Sequence, residues 1–155
     1  MTFRFAGPDD CSLILSFIRG LAEYEKMTDQ VVATDELLRE WIFEKKKAEV
    51  LFACDGEKEV GFALFFHNFS TFLGRAGIYL EDLFILPEYR GKGFGKALLK
   101  RLAGITVERG CGRLEWACLD WNKPSIDFYH SLGAATMDEW TTYRLTGDAL
   151  REAAK

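Results

Sequence analysis

Apolar residues along this chain recur with two different periods, and blocks of the two kinds alternate. Residues 2–6 read as a strand, and the stretch from Asp9 or Asp10 to about Glu25 reads as a helix capped by one of those aspartates. A second helix is predicted after Thr34, where Asp35 and Glu36 suit a helix N-terminus. Glu49 to Cys54 and Val60 to Phe69 read as hairpin strands joined through Asp55-Gly56-Glu57-Lys58. From Tyr79 to Leu86 six of eight residues are apolar, as in a strand buried on both faces, with only Glu81 and Asp82 interrupting. A helix from about Gly93 to Arg109 follows, its apolar face carried by Phe94, Leu98, Leu102 and Ile105 with Ala97 and Leu99. A short strand at 113–119, a helix at 122–132, a strand pair around 134–146 and a short tail helix complete the order. Mixed elements in this order predict an α/β (α+β) class, a three-layer sandwich with a mostly antiparallel sheet.

Between the buried strand and its helix lies Pro87-Glu88-Tyr89-Arg90-Gly91-Lys92-Gly93-Phe94-Gly95-Lys96. Glycines at 91, 93 and 95 let backbone N–H groups converge on an anion at a helix start, although a tight turn alone would also use them. The dinucleotide pattern G-x-G-x-x-G fails because Lys96 stands where the last glycine is needed. The Walker pattern G-x-x-x-x-G-K-[ST] fails at Arg90 and Ala97. What remains, Arg90-x-x-Gly93-x-Gly95 after a strand and before a helix, resembles the acyl-CoA pyrophosphate loop of the GNAT family of N-acetyltransferases.

Two further stretches carry the same resemblance. Trp121-Asn122-Lys123-Pro124-Ser125-Ile126-Asp127-Phe128-Tyr129, followed by Gly133-Ala134, is similar to the last block of that family. The run Ala22 to Val31, with Tyr79-Leu80-Glu81-Asp82 and Trp121-Asn122, resembles the spermidine/spermine (diamine) and thialysine N-acetyltransferase group. The similarity covers nearly the whole chain, which is read as one domain, 1–155.

The resemblance implies a sheet whose central parallel strands, near 79–86 and 113–119, splay apart to admit acetyl-CoA. It assigns Leu83, Phe84 and Ile85 to the pantetheine arm. It assigns Arg90, Gly91, Lys92, Gly93, Phe94, Gly95 and Lys96 to the pyrophosphate, and adds Asn122 and Tyr129 to the cofactor set. A solvated turn is the alternative for the basic residues, and a helix cap is the alternative for Asn122.

The chemistry implied is attack of a neutral amine on a thioester. An alkylamine with a pKa near 10.4 must first lose a proton. Glu81, inside an apolar strand where partial burial would raise its pKa, is the candidate base, with an ion-paired structural carboxylate as the alternative. Regular alternation turns Asp82 to the other strand face, which gives it a mainly structural part in the acceptor set Glu25, Glu81 and Asp82. Glu25 is the residue the resemblance offers to a distal ammonium, with Glu23 and Asp29 nearby, and a solvated helix end is its plain reading. Tyr129 takes the proton-donor role towards the leaving thiolate from the resemblance, against a simple core aromatic. A covalent route through Cys118 lacks an adjacent histidine, since the two histidines are His67 and His130.

Composition narrows the setting. A net charge of −4 is not the footprint of a nucleic-acid binder and favours cationic substrates. Cysteines at 11, 54, 111 and 118 lack zinc spacing, so the expectation is a reduced, cytoplasmic, metal-free protein. Residues 1–6 read as a strand rather than a secretory signal, and no window reaches the length of a membrane span. Family resemblance adds a homodimer. The loop Ser70 to Gly77 departs from the group pattern, with phenylalanine where tryptophan is usual, which leaves a polyamine, a diamine and a thialysine-like amino acid all open. A noncatalytic acyl-CoA-binding domain of the same fold is the alternative to an enzyme.

Overall fold

Strand β1 (Thr2–Phe5) pairs antiparallel with β2 (Glu49–Asp55), β2 with β3 (Lys58–Ser70), and β3 with β4 (Arg75–Ile85). Strand β5 (Leu114–Trp116) runs parallel to β4, giving the order β1-β2-β3-β4-β5. This architecture comes from a computed structural model that describes residues 1–155. The residues divide into two compact units, Met1–Ala117 and Cys118–Lys155.

In the first unit, helix α1 (Cys11–Tyr24) lies on one face of the sheet. Its Phe17 is 2% exposed, and its ring sits 5.5 Å from that of Phe62, 6.0 Å from Phe52 and 6.3 Å from Phe84. Helix and strand meet closely here because of Gly20, where a Cβ would come within 2.8 Å of the Phe84 ring. Helix α2 (Asp35–Leu38) continues as a π-helical stretch, Arg39–Glu44, whose Ile42 joins the same cluster. Thr34 caps α2, its Oγ1 accepting from the Leu37 N–H at 3.1 Å.

Helix α3 (Phe94–Glu108) buries Phe94, Leu98, Leu99, Leu102 and Ile105, the stripe its sequence predicts. It covers the other face. Because side chains alternate along a strand, β2 and β3 are buried on both sides, and Val50 through Cys54 are all buried.

Asp10 occupies the position before α1 but does not cap it. Its carboxylate accepts from the Gly7 N–H at 2.8 Å and from Arg4 at 2.8 and 2.9 Å. Arg4 also donates to Glu59 at 2.7 and 3.0 Å, and its guanidinium lies over Phe52, 4.7 Å from the ring centre. One side chain thereby joins β1, the start of α1 and β3.

The second unit holds α4 (Lys123–Ser131) and α5 (Gly147–Ala153). The strand pair expected at 134–146 does not form, and this stretch has no regular structure. Its large apolar residues Met137, Trp140, Tyr143 and Leu145 are all exposed, and no strand of the sheet pairs with them. The parallel pair β4–β5 consequently closes the sheet at its edge. Strand β5 is also shorter than the expected 113–119.

Phe17→Ala is expected to lower unfolding free energy by about 3–5 kcal/mol, since three surrounding rings cannot collapse into the space. Urea unfolding of the two proteins measures it, and a loss below about 1 kcal/mol would refute the central place given to Phe17.

Candidate functional site

The pairing of β3 with β4 breaks step once. Ala63 faces Leu83 and Leu64 faces Asp82, but Phe65 faces Leu80, so Glu81 is an extra residue in a β-bulge. Pairing with β5 ends at the same level, at Leu80 and Trp116. From Glu81 to Ile85, β4 has a partner on one edge alone.

The bulge decides what that open edge presents. The Leu86 N–H donates to the Val60 carbonyl at 2.8 Å, so antiparallel alternation turns the backbone groups of Phe84 towards β3. Those of Leu83 and Ile85 then face the edge that β5 has left. Of the three residues expected to pair with a pantetheine arm, two present polar backbone there. Phe84 instead packs its ring beside Phe17.

The carboxylates are arranged differently from the sequence expectation. Glu81 is exposed rather than partly buried within the strand. The regular alternation used to turn Asp82 away does not hold either, because the bulge interrupts it. Asp82 is the withdrawn carboxyl. Burial first, then the charges of Glu81 and Glu25, push its pKa up to about 7. Glu25 follows the last residue of α1 and is itself half-buried, and desolvation raises its carboxyl too. Glu23 and Asp29 are exposed. The fold thus gathers Glu25, Glu81 and Asp82 and leaves the other two acids in solvent.

The glycine loop follows a short 3₁₀ turn, Pro87–Tyr89. Gly91 and Gly93 have φ of +75° and +87°, left-handed values that a Cβ would strain. These turns aim successive amides outward. None of the N–H groups from Gly91 to Lys96 donates to a backbone carbonyl, and the first intrahelical bond runs from Ala97 to Gly93 at 3.0 Å. A row of unbonded donors at the N-terminus of a 15-residue helix, with open space where Cβ atoms of Gly91 and Gly93 would stand, fits a pyrophosphate.

Arg90 also makes contacts within the fold. Its Nε donates to the Ile85 carbonyl at 3.0 Å, and its guanidinium lies 4.9 Å from the Tyr24 ring centre and 5.3 Å from that of Phe84. It braces the end of α1 against the end of β4. Tyr24 was not singled out from sequence, and its place beside Glu25 at a helix end gave only an indirect signal. Lys92 and Lys96 stay exposed.

In the second unit Asn122 is buried at the N-cap position of α4, yet its side chain accepts no hydrogen bond from the helix amides. Capping therefore does not account for it. Tyr129 is half-buried, its ring 5.5 Å from that of Phe128, and its carbonyl accepts from Leu132 and Ala134 where the helix ends. Cys118 Sγ donates to the Leu119 carbonyl at 3.5 Å, and His130 is exposed. His67, in the first unit, sits 3.3 Å from Arg109.

A sequence model of the acetyltransferase (GNAT) family matches residues 17–134. A thialysine N-epsilon-acetyltransferase of Bos taurus is 43% identical over 97% of this chain and 95% of that protein. A spermidine/spermine N(1)-acetyltransferase-like protein of Homo sapiens is 31% identical over 97% of this chain and 23% of its own length. Among solved structures, an integron cassette protein from the mobile metagenome of V. cholerae superposes with a TM-score of 0.82. It is 30% identical and covers 99% of this chain and 97% of its own.

Asp82 titrates near 3.9 in an unfolded chain and at about 7 in the fold, so the folded state holds its proton more tightly. The resulting stability is full below about pH 4 and is lost as pH rises through about 7. Asp82→Asn is expected to raise the melting temperature by about 3 °C or more at pH 8, with the gain shrinking towards pH 4. Thermal melts across that range decide it, and a gain independent of pH would contradict the assignment.

Proposed function

The chain belongs to the acetyltransferase (GNAT) family, within its spermidine/spermine and thialysine group, and we propose that residues 81–96 form its acetyl-CoA and amine site. It is an enzyme that transfers an acetyl group to an amine of a small cationic acceptor. The observation that carries the site assignment is the unbonded amide row from Gly91 to Lys96, next to a strand edge that β5 leaves open.

Acetyl-CoA supplies the activated acyl group. The Gly91 to Lys96 amides and the α3 N-terminus hold its pyrophosphate, while the backbone groups of Leu83 and the Ile85 N–H face the pantetheine arm. Arg90 adds charge nearby but acts chiefly as a brace, because its Nε is committed to the Ile85 carbonyl. Asn122 and Tyr129 complete the cofactor set on the strength of the family motif.

The acceptor amine approaches between charges suited to it. Glu25 takes a distal ammonium, and the Glu81–Asp82 pair receives the proton of the reacting one. Within that pair Asp82 is the group poised near neutrality, and Glu81 is the exposed carboxylate that raises it. The freed nitrogen lone pair attacks the thioester carbonyl, forming the C–N bond. The C–S bond then breaks and the thiolate takes a proton, for which Tyr129 is the donor. A thialysine-like amino acid is the acceptor class best supported, by the 43% identity to the Bos taurus enzyme. The reading extends to a cytoplasmic homodimer, on family resemblance for the assembly and on four free thiols for the compartment.

Following thiol release against acetyl-CoA and a panel of thialysine, ornithine and polyamines tests the acceptor, with thialysine expected to give the highest kcat/KM. The acid limb of kcat/KM near pH 7 is expected to vanish in Asp82→Asn, with activity down about 10²-fold or more. An unchanged limb would move the base to Glu81. Tyr129→Phe is expected to lose about 10²-fold in kcat at saturating acetyl-CoA, and full activity would remove Tyr129 from the chemistry.

A further inference from the structure

Lys58 lies at the turn between β2 and β3, outside the glycine loop, yet it reaches the loop's edge. Its ammonium is 5.2 Å from the centre of the Tyr89 ring, and the ammonium of Lys92 is 5.2 Å from the same centre. Two elements distant in sequence therefore direct cations at one aromatic ring. The ring is held in place by an edge-on contact with buried Phe94, centres 5.9 Å apart at 86°. The Leu86 to Val60 hydrogen bond, 2.8 Å, fixes the β2–β3 hairpin beside the loop.

Neither ammonium forms an ion pair with a carboxylate. The nearest acid along β3, Glu59, is held by Arg4 at 2.7 Å, and Glu57 and Glu88 are exposed and unpaired. The shared ring limits the separation of the two ammoniums to about 10 Å, close to the Debye length of roughly 8 Å at physiological salt. Their repulsion is relieved when a multiply charged anion lies between them. A phosphate monoester, with its second pKa near 6, carries almost two negative charges at neutral pH.

We propose that Lys58 and Lys92, gathered over Tyr89, form the subsite for the 3′-phosphate of CoA, and that Lys58 determines the preference for CoA over its dephospho form. The proposal rests on the reading of Gly91 to Lys96 as the pyrophosphate cradle. The amide row takes the pyrophosphate, Arg90 is tied to Ile85 on its Tyr24 side, and the two lysines flank the loop where a second phosphate of the same ligand is met. As point charges on flexible stems, lysines suit a monoester better than a fixed bidentate fork would.

Calorimetric titration of the full chain with CoA and with 3′-dephospho-CoA separates the possibilities. Wild type is expected to bind CoA more tightly than 3′-dephospho-CoA. In Lys58→Ala, CoA affinity is expected to fall about five- to tenfold while that for 3′-dephospho-CoA stays within about twofold, and Lys58→Arg is expected to recover most of the loss. Equal weakening of both ligands would place Lys58 on the pyrophosphate and overturn the proposal, as would no change in either. If wild type binds 3′-dephospho-CoA as tightly as CoA, the subsite is refuted while the cradle stands. If wild type binds neither, the cradle reading fails with it.

Discussion

The extra residue at Glu81 sets the direction of every group that follows it in β4. A strand has two faces and two edges, and a one-residue insertion exchanges both for the remainder of the strand. Before the bulge, Ile78 and Leu80 lie level with β5, and the Ile78 N–H donates to the Arg113 carbonyl. After it, the residues turned to that edge are Leu83 and Ile85, and β5 no longer pairs with them. The same insertion puts Asp82 opposite Leu64, on the face covered by α1, where Glu25 approaches. An open polar edge and a withdrawn carboxylate are thus two results of one irregularity.

The bulge alone would leave a frayed strand end, and Arg90 prevents that. Its guanidinium joins the Ile85 carbonyl, the Phe84 ring and the Tyr24 ring, fixing the end of β4 to the end of α1. Tyr24 immediately precedes Glu25. An arginine in the glycine loop therefore also governs where Glu25 stands, and the two halves of the proposed site share one brace. The glycines next to it act on the other side, turning the chain so that the amides ahead of α3 stay unbonded.

Features that depend on local period were legible in the sequence. The buried face of α3, the glycine loop and the two-sided burial of the hairpin strands each follow from residues within one element. Features that depend on register were not. Regular alternation was the natural assumption for Tyr79 to Leu86, and it exchanged the environments of Glu81 and Asp82. Nothing in Glu81 itself announces a bulge, because the bulge is a property of two strands and of β5 stopping at Trp116. The stretch 134–146 failed for a related reason. Its apolar residues invite a strand, but a strand exists only with a partner, and none pairs with this stretch. Asp10 looked like a cap and became an ion-pair partner because Arg4, six residues away, competes for the same oxygens.

Three gathered carboxylates pose a difficulty for an enzyme that must attack with a neutral amine. Anionic groups hold an ammonium in its protonated form and so raise the pKa of the amine they bind. The arrangement meets this by giving the carboxylates different environments. Asp82, half-buried beside two like charges, has its pKa raised to about 7, which narrows the gap to an amine near 10.4 by about three pKa units relative to an ordinary aspartate. In the proposed arrangement a second ammonium at Glu25 cancels one of the two charges that elevate Asp82, so a doubly cationic acceptor lowers the proton affinity of the base as it binds. A monoamine leaves Glu25 charged and meets Asp82 at its full elevation. Contact with Glu25 then favours the diamine while the coupled protonation works against it, and both follow from Glu25 standing close enough to Asp82 for its charge to be felt.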